Sequence, residues 1–504
     1  MTRKREFPNT YIIIAAVLLL CAAATCIVPG ARPQTWQIFT ALYDGFVKQA
    51  GVIAFILVIG GTFQVINSSR AVDAGIMAFL NWTHNAEKSP FLKKLGVNNI
   101  VISLTMLMFS LFGGIFGMSE ETIPFVALII PLAISMGYDS ITGVCMVYVA
   151  AHVGFAGAFL NPFTIGVAQG MAEVPLFSGI GYRFACWAVL TLLTIAAVLF
   201  YASRIRRHPE RSLMYEADAF WRNRNSEDET APASTHSRSS FISFILSLTA
   251  MVLFSTFCSQ GCSIHLADEL KPAPWLLWTV TALFALAGLA TSRRSLHFYI
   301  LNLLGFTIIW LIIGVLCFEW YLPEISALFL GLGIAAGIAA GKTPNALAGE
   351  FMTGMKDILS AALIVGFASG IVILLQNGDI IEPLLTSLAS SMEGTGNSVC
   401  LSLMYAIQTI INLFIPSATA KAAITIPIMA PFSDMIGVSR QSMILAFQFG
   451  DGFTNMITPT SGVLVAVLGM ARIPYGRWVK WVWKPILVLA VVGLILLLLS
   501  QKFW

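Results

Sequence analysis

The chain has 504 residues, of which 57% are hydrophobic and 11% charged, against about 25% charged in an ordinary soluble domain. That balance excludes a soluble globule, and the apolar runs do not alternate in segments of about ten residues, which excludes a transmembrane β-barrel. The formal net charge of +4 implies no nucleic-acid partner, because the basic residues sort to one side of the apolar runs.

Runs such as Tyr11 to Val28, Ser178 to Phe200, Ser360 to Leu375 and Pro485 to Ser500 can each cross a hydrocarbon core about 30 Å thick. The sequence therefore predicts an all-α polytopic membrane protein embedded in a lipid bilayer. The run behind Arg3, Lys4 and Arg5 is longer than the apolar part of a signal peptide and reads as a retained first span. Four stretches, near 36 to 50, 71 to 89, 343 to 357 and 379 to 393, mix apolar and charged residues at helical spacing, as interfacial helices do.

Residues 1–202 read as a first repeat. Two apolar arms over about 97–137 meet at the sequence Gly113 to Thr122, and a helix interrupted by glycines and Pro162 follows over about 141–170. Residues 203–240 are polar and Arg-rich, ending in a stretch of low hydrophobicity, and read as a cytoplasmic, largely disordered linker. Three connecting spans follow in 241–320. Residues 321–504 repeat the first pattern, with a hairpin over about 397–437 around Ile415 to Lys421 and a broken helix over about 442–470. Asn161-Pro162 matches Thr458-Pro459, Gly170-Met171-Ala172 matches Gly469-Met470-Ala471, and Pro175 matches Pro474, all at an offset near 300.

With the N-terminus inside, 22 of the 29 Lys and Arg fall in cytoplasmic segments, which satisfies the positive-inside rule. The three connecting spans start the second half on the opposite face, so the repeats are expected to be inverted and the re-entrant hairpins to enter from opposite sides. The expected location is a bacterial cytoplasmic (inner) membrane, multi-pass. Most of the eight cysteines lie inside apolar runs, where packing is their usual role. Cys258 and Cys262 are close together on an expected external loop, and the sequence leaves a disulfide between them open.

Inverted repeats with broken helices point to a secondary transporter whose small-molecule substrate binds near the bilayer midplane. The groups at the interruptions are Ser119, Glu120, Glu121 and Thr122 at the first tip, and Asn161 and Thr164 at the first break. At the second tip they are Ser417, Thr419 and Lys421, and at the second break Asp451, Thr454, Asn455, Thr458 and Thr460. Ionisable residues at membrane depth are functional by default. Each also has a plainer role: Ser119 as a helix cap with two acids in the first turn, Asp451 bonding backbone freed by its flanking glycines, and Lys421 neutralising an acid. The Asn and Thr side chains suit interhelical hydrogen bonds. His152, on an apolar face, reads first as a packed histidine, with proton coupling as the functional alternative.

The stretches FGMSEETIPF, AHVGFAGAFLNPFTIGVAQG, SATAKAAITIPIMAPFSD and GDGFTNMITPTSG together resemble the YfcC-type family, described as basic amino-acid antiporters and grouped with anaerobic C4-dicarboxylate carriers in the ion-transporter superfamily. The resemblance spans nearly the whole chain outside 203–240. It implies scaffold and transport parts in each repeat, a homodimer, and an elevator-type motion. Dicarboxylate carriers of that superfamily typically have Ser-Asn-Thr at both tips, whereas this chain has Ser-Glu-Glu-Thr and Ser-Ala-Thr-Ala-Lys. A dianion beside Glu120, Glu121 and Asp451 would meet like-charge repulsion offset only by Lys421. A basic amino acid fits better, with exchange or coupling to Na⁺ or H⁺, and a dicarboxylate or other organic anion is the alternative.

Other classes fit less well. Gly341-Lys342-Thr343 is preceded by Ala336 where a P-loop needs glycine, which leaves no ATP-driven pump. Neither a zinc-protease motif nor any other metal site is expected, and Asp451 lacks the second carboxylate of an intramembrane protease apart from the tip acids. The protein is not expected to be an enzyme, and saturable exchange would separate a carrier from a channel.

Overall fold

The computed structural model describes residues 10–86, 96–226, 238–266, 269–318, 320–380, 383 and 396–504. Among them, ten helices are long and apolar enough to cross a membrane. Among the described residues the fold is all-helical apart from a short antiparallel strand pair, Ser263–Leu266 with Glu269–Pro272. The N-terminal basic residues, Lys88, Lys93, Lys94, Glu393 and most of 379–393 lie outside the described residues.

Close packing divides the chain into two compact units. One consists of Gly51–Val97 and Phe220–Ser360. In it, Arg238–Cys258 packs on Pro274–Ser292 and Leu322–Ala339, and Leu296–Phe318 packs on Ala71–Ala86. Hydroxyls stitch these helices, with Ser255 against Thr281 at 2.9 Å and Ser243 donating to the Ala335 carbonyl at 2.7 Å.

The other unit consists of Met1–Ala50, Asn98–Ala219 and Ala361–Trp504, and it carries the hairpins and interrupted helices. The first hairpin has arms Val97–Phe116 and Ile123–Ser135, and the second has arms Asn397–Phe414 and Ala418–Met435. The first interrupted helix has a leading half Ser140–Ala156 and a trailing half Val167–Met171 entered through the π turn Pro162–Gly166. The second has halves Arg440–Asn455 and Gly462–Ala471.

Local chemistry places these boundaries, and it recurs 300 positions apart. Gly137 and Gly437 adopt φ of +86° and +69° where each returning arm ends, a conformation that costs glycine little. Asp139 and Ser439 then cap the leading halves, accepting from Thr142 N at 2.9 Å and Ser442 N at 3.1 Å. Asn161 and Ser461 cap the turn or helix beyond each break, accepting from Thr164 N at 3.2 Å and Leu464 N at 3.3 Å.

Packing is reciprocal as well. The trailing half Val167–Met171 lies on the returning arm Ala418–Met435, and the trailing half Gly462–Ala471 lies on the returning arm Ile123–Ser135. The two leading halves pack on each other at the centre of the unit.

Two elements differ from expectation. The amphipathic stretch near 343 to 357 is the start of one continuous helix, Pro344–Asn377, because no proline or capping residue interrupts it before the apolar run. The front of the polar stretch 203–240 is folded: the preceding helix runs through Arg207, and Ser212 and Tyr201 donate to Asp139 Oδ2 at 2.6 and 2.5 Å. Asp218 accepts from Ser140 N at 2.9 Å. Buried acceptors thus hold a segment whose composition alone reads as solvated. Residues 227–237 of that stretch lie outside the described residues.

Candidate functional site

The first tip is shaped by glycine. Gly113 and Gly114 sit in a π turn, Phe112–Phe116, and Gly117 follows at φ +71°. A Cβ on Gly113 would lie 2.0 Å from the Ala151 carbonyl, and one on Gly154 would lie 2.0 Å from the Ser110 carbonyl. Only hydrogen at both positions lets the outgoing arm and the leading half touch along their backbones.

The Ser119 side chain makes no capping bond here, so the expected serine cap is replaced. Glu121 Oε2 accepts the Ser119 N–H at 2.9 Å, and Thr122 Oγ1 donates to the Ser119 carbonyl at 2.5 Å. The Glu121 carboxyl thus folds back onto the backbone N–H at the start of the turn, while the Thr122 N–H that a Ser119 cap could have taken bonds the Ser119 carbonyl instead. Glu121 and Thr122 are buried, while Ser119 and Glu120 are half-buried. Among the described residues, neither acid has an ion-pair partner.

Asn161 joins this tip to the first break. Its Oδ1 accepts from Phe163 N and Thr164 N at 2.9 and 3.2 Å, and its Nδ2 donates to the Gly113 carbonyl at 3.2 Å. The carbonyl 300 positions on, Leu413, is held the same way, by Thr458 Oγ1 at 2.8 Å and Thr460 Oγ1 at 2.7 Å. Interrupted helices free carbonyls that lipid cannot satisfy, and in both halves the break supplies the donor. Thr164 Oγ1 is buried without a hydrogen-bond partner.

At the second tip, Ser417 caps the returning arm by accepting from Ala420 N at 3.4 Å, and Ser417 and Thr419 are both exposed. Lys421, one turn further, is fully buried. Its Nζ lies 3.3 Å from Asp451 Oδ1, 3.3 Å from the Phe447 carbonyl and 4.4 Å from the centre of the Phe447 ring. Asp451 Oδ2 accepts from Asn455 Nδ2 at 3.3 Å. Asn412 reaches across from the outgoing arm, donating to Thr454 Oγ1, Asn455 Oδ1 and the Asp451 carbonyl at 2.7, 2.9 and 3.2 Å.

The candidates thus gather in two polar clusters. Asn161, bonded to Thr164 N, reaches the first tip at Gly113 and Gly117. Lys421, Asp451, Thr454 and Asn455 lie together, with Thr458 and Thr460 at the adjoining break. Ser417 and Thr419 are exposed and join neither group. Tyr148, on the first leading half, donates its hydroxyl to the Asn455 carbonyl of the second at 2.8 Å. His152 is buried, its Nδ1 3.1 Å from the Tyr148 carbonyl and its ring against Tyr148 and Phe155.

Several buried polar groups of this unit were not among the sequence candidates. Both ends of the Gln408 amide and Asn412 Oδ1 lack a hydrogen-bond partner among the described residues. Arg183 is fully buried and meets Gln448 Oε1 at 2.6 Å, Gln441 Oε1 at 2.9 Å and the Trp504 ring at 5.2 Å. Gln448 in turn donates to the Ala158 carbonyl at 2.8 Å. The signal was available: Gln408 and Asn412 are four apart, and Gln448, Asp451 and Asn455 are three and four apart, so each set shares one helical face.

Ten membrane-length helices, two hairpins and two interrupted helices with buried charge at their breaks define a multi-pass membrane transporter, which handles a small-molecule substrate across a lipid bilayer. The chain matches the family DcuC, C4-dicarboxylate anaerobic carrier, over residues 29–292 and 287–502, and it belongs to that family. It is 33% identical over 441 residues, 85% of this chain and 73% of the relative, to "Putative basic amino acid antiporter YfcC" of Escherichia coli (strain K12). It is also 26% identical over 487 residues, 94% of this chain and 82% of the relative, to an uncharacterized protein of Haemophilus influenzae (strain ATCC 51907 / DSM 11121 / KW20 / Rd). Among solved structures, the YdaH transporter of Alcanivorax borkumensis aligns over 99% of both chains with a TM-score of 0.39 at 16% identity, a likeness too low to bear on fold or function.

Proposed function

We propose that this transporter is a secondary carrier of basic amino acids in the bacterial inner membrane, with a cytoplasmic N-terminus, working by exchange or by coupling to Na⁺ or H⁺. In this reading the two repeats are inverted, their hairpins are re-entrant from opposite faces, and a homodimer moves substrate by alternating access at the hairpin tips and breaks. The recurrence of caps, glycines and packing at a 300-residue offset supports the repeat.

One observation carries the substrate. Lys421 is engaged by Asp451, so it is not available to a substrate carboxylate, while Glu120 and Glu121 have no cationic partner among the described residues. The balance left at the tips is negative. Unpaired acids at membrane depth suit a second ammonium or a guanidinium, while the substrate's own carboxylate suits freed backbone N–H groups at helix N-termini. The YfcC relative supports the same class.

The family's description favours a second reading, a C4-dicarboxylate or other organic anion. Counterflow in preloaded proteoliposomes separates the two. Exchange of labelled arginine, lysine or ornithine is expected, and exchange of succinate with none of the three sinks the proposal.

A further inference from the structure

The expected external loop after Arg238–Cys258 is short and tightly folded. The 3₁₀ turn Ser259–Gly261 reverses the chain, and Ala273 N donates to the Cys262 carbonyl at 2.8 Å. That bond closes the neck of the loop, from which the strand pair Ser263–Leu266 and Glu269–Pro272 projects. Cys262 sits at this neck, fully buried. Cys317, in the last turn of Leu296–Phe318, is buried in the same apolar cluster as Cys262, whereas Cys258, four residues earlier, is half-buried and packs against the edge of that cluster.

The surroundings are apolar. Leu277, Val280, Trp310 and Ile313 enclose the two sulfurs, with Cys258 and Phe254 packed alongside. Phe254 meets Trp310, Phe318 and Trp320 edge-on at 5.3 to 5.8 Å between ring centres. Among the described residues no group of three His, Cys, Asp or Glu stands ready for a metal ion. Both thiols are free in this structure, and two cysteines buried in one apolar cluster can be joined by thiol–disulfide exchange.

We infer that Cys262 and Cys317 form a disulfide that staples the loop neck to the end of the third connecting helix. The inference rests on the proposed orientation. Arg238, Arg293 and Arg294 mark the cytoplasmic ends of these helices, so the thiols face the exoplasmic side, where disulfides form and persist. The oxidant is a donor disulfide of that compartment. The thiolate of one cysteine attacks it and releases one donor thiol; the thiolate of the other attacks the mixed disulfide and releases the second. One S–S bond forms and one breaks, and the two cysteine protons end on the two donor thiols. The exchange takes place before the loop packs, and burial then shields the bond from reductant.

The test traps free thiols in intact cells with N-ethylmaleimide, then denatures, reduces and mass-tags the protein, so that only cysteines once in disulfides gain a tag. Wild type is expected to gain two tags, Cys258→Ser also two, and Cys262→Ser and Cys317→Ser none. An unreduced digest of wild type is expected to yield the Cys262 and Cys317 peptides joined, 2 Da lighter than their sum, roughly the mass of the two hydrogens lost when the bond forms. This second readout needs no variant to fold. No tag on wild type overturns the inference, and so does tagging lost in Cys258→Ser but kept in Cys317→Ser, which would mark a Cys258–Cys262 bond.

Discussion

The ammonium of Lys421 and the carboxylate of Asp451 lie 3.3 Å apart, and neither side chain has any exposed surface. One residue belongs to the second hairpin and the other to the second interrupted helix, so the pair ties these two elements together. Breaking a buried pair by removing one partner costs about 3–5 kcal/mol, whereas removing both charges is often close to neutral.

Lys421→Met and Asp451→Asn are therefore each expected to lower the melting temperature in detergent, and the double variant to recover most of the loss. Transport separates a structural pair from a working one. Counterflow by the stable double variant is expected to be abolished if the pair, joining the second tip to the second break, acts in transport as well as in stability. Full activity in the double variant would reduce the pair to packing.

The tip acids differ in what they hold. Glu121 carries the Ser119 N–H, while the half-buried Glu120 makes no ion pair among the described residues. Glu120→Gln is thus expected to leave thermal stability unchanged and to weaken a cationic substrate. A charged hydrogen bond worth about 1.5–3 kcal/mol corresponds to a rise of roughly 10- to 100-fold in half-saturation. Concentration-dependent arginine counterflow reads it, and an unaltered half-saturation would remove Glu120 from the site.

Much of this architecture was legible because its markers are local. The sequence pairs Asn161-Pro162 with Thr458-Pro459 and Gly170-Met171-Ala172 with Gly469-Met470-Ala471, while the pairs that act on the backbone 300 apart, Gly137 with Gly437, Asp139 with Ser439 and Asn161 with Ser461, emerge from the fold. The features that were not legible depend on partners distant in sequence. The sequence left Lys421 undecided between a substrate and an acid, and only folding brings Asp451 to it. Ser119 makes no cap, because the turn directs the Thr122 N–H to the Ser119 carbonyl and the Glu121 carboxyl to the Ser119 N–H, which spacing does not reveal. The segment after Arg207 is polar by composition, and it folds because Asp139 and Ser140 sit where Ser212 and Asp218 can reach them.

The glycine contacts at the first hairpin give a paired prediction. Gly154→Ala places a Cβ 2.0 Å from the Ser110 carbonyl, whereas Gly181 has nothing within 4 Å. Overpacking costs about 1–3 kcal/mol or more when backbone must move, and an exposed helical glycine gains about 0.5–1 kcal/mol on becoming alanine. Gly154→Ala is expected to melt earlier and to carry poorly, and Gly181→Ala to melt at or above wild type. Equal melting temperatures would mean that arm and helix can separate without loss.

Thr458 and Thr460 both donate to the Leu413 carbonyl and also contact each other at 2.8 Å. Either hydroxyl alone can satisfy that acceptor, so Thr458→Val and Thr460→Val are each expected to cost little. The double variant leaves a carbonyl unpaired beside the break, at about 1–3 kcal/mol, and the two changes should therefore be strongly non-additive. Among the described residues, Asn161 is the lone side-chain donor to the matching Gly113 carbonyl, so Asn161→Ala is expected to show in one step what the second half shows only in two. Melting curves of the four variants in one detergent test this, and additive threonine effects would mean that the hydroxyls act on something other than the freed carbonyl.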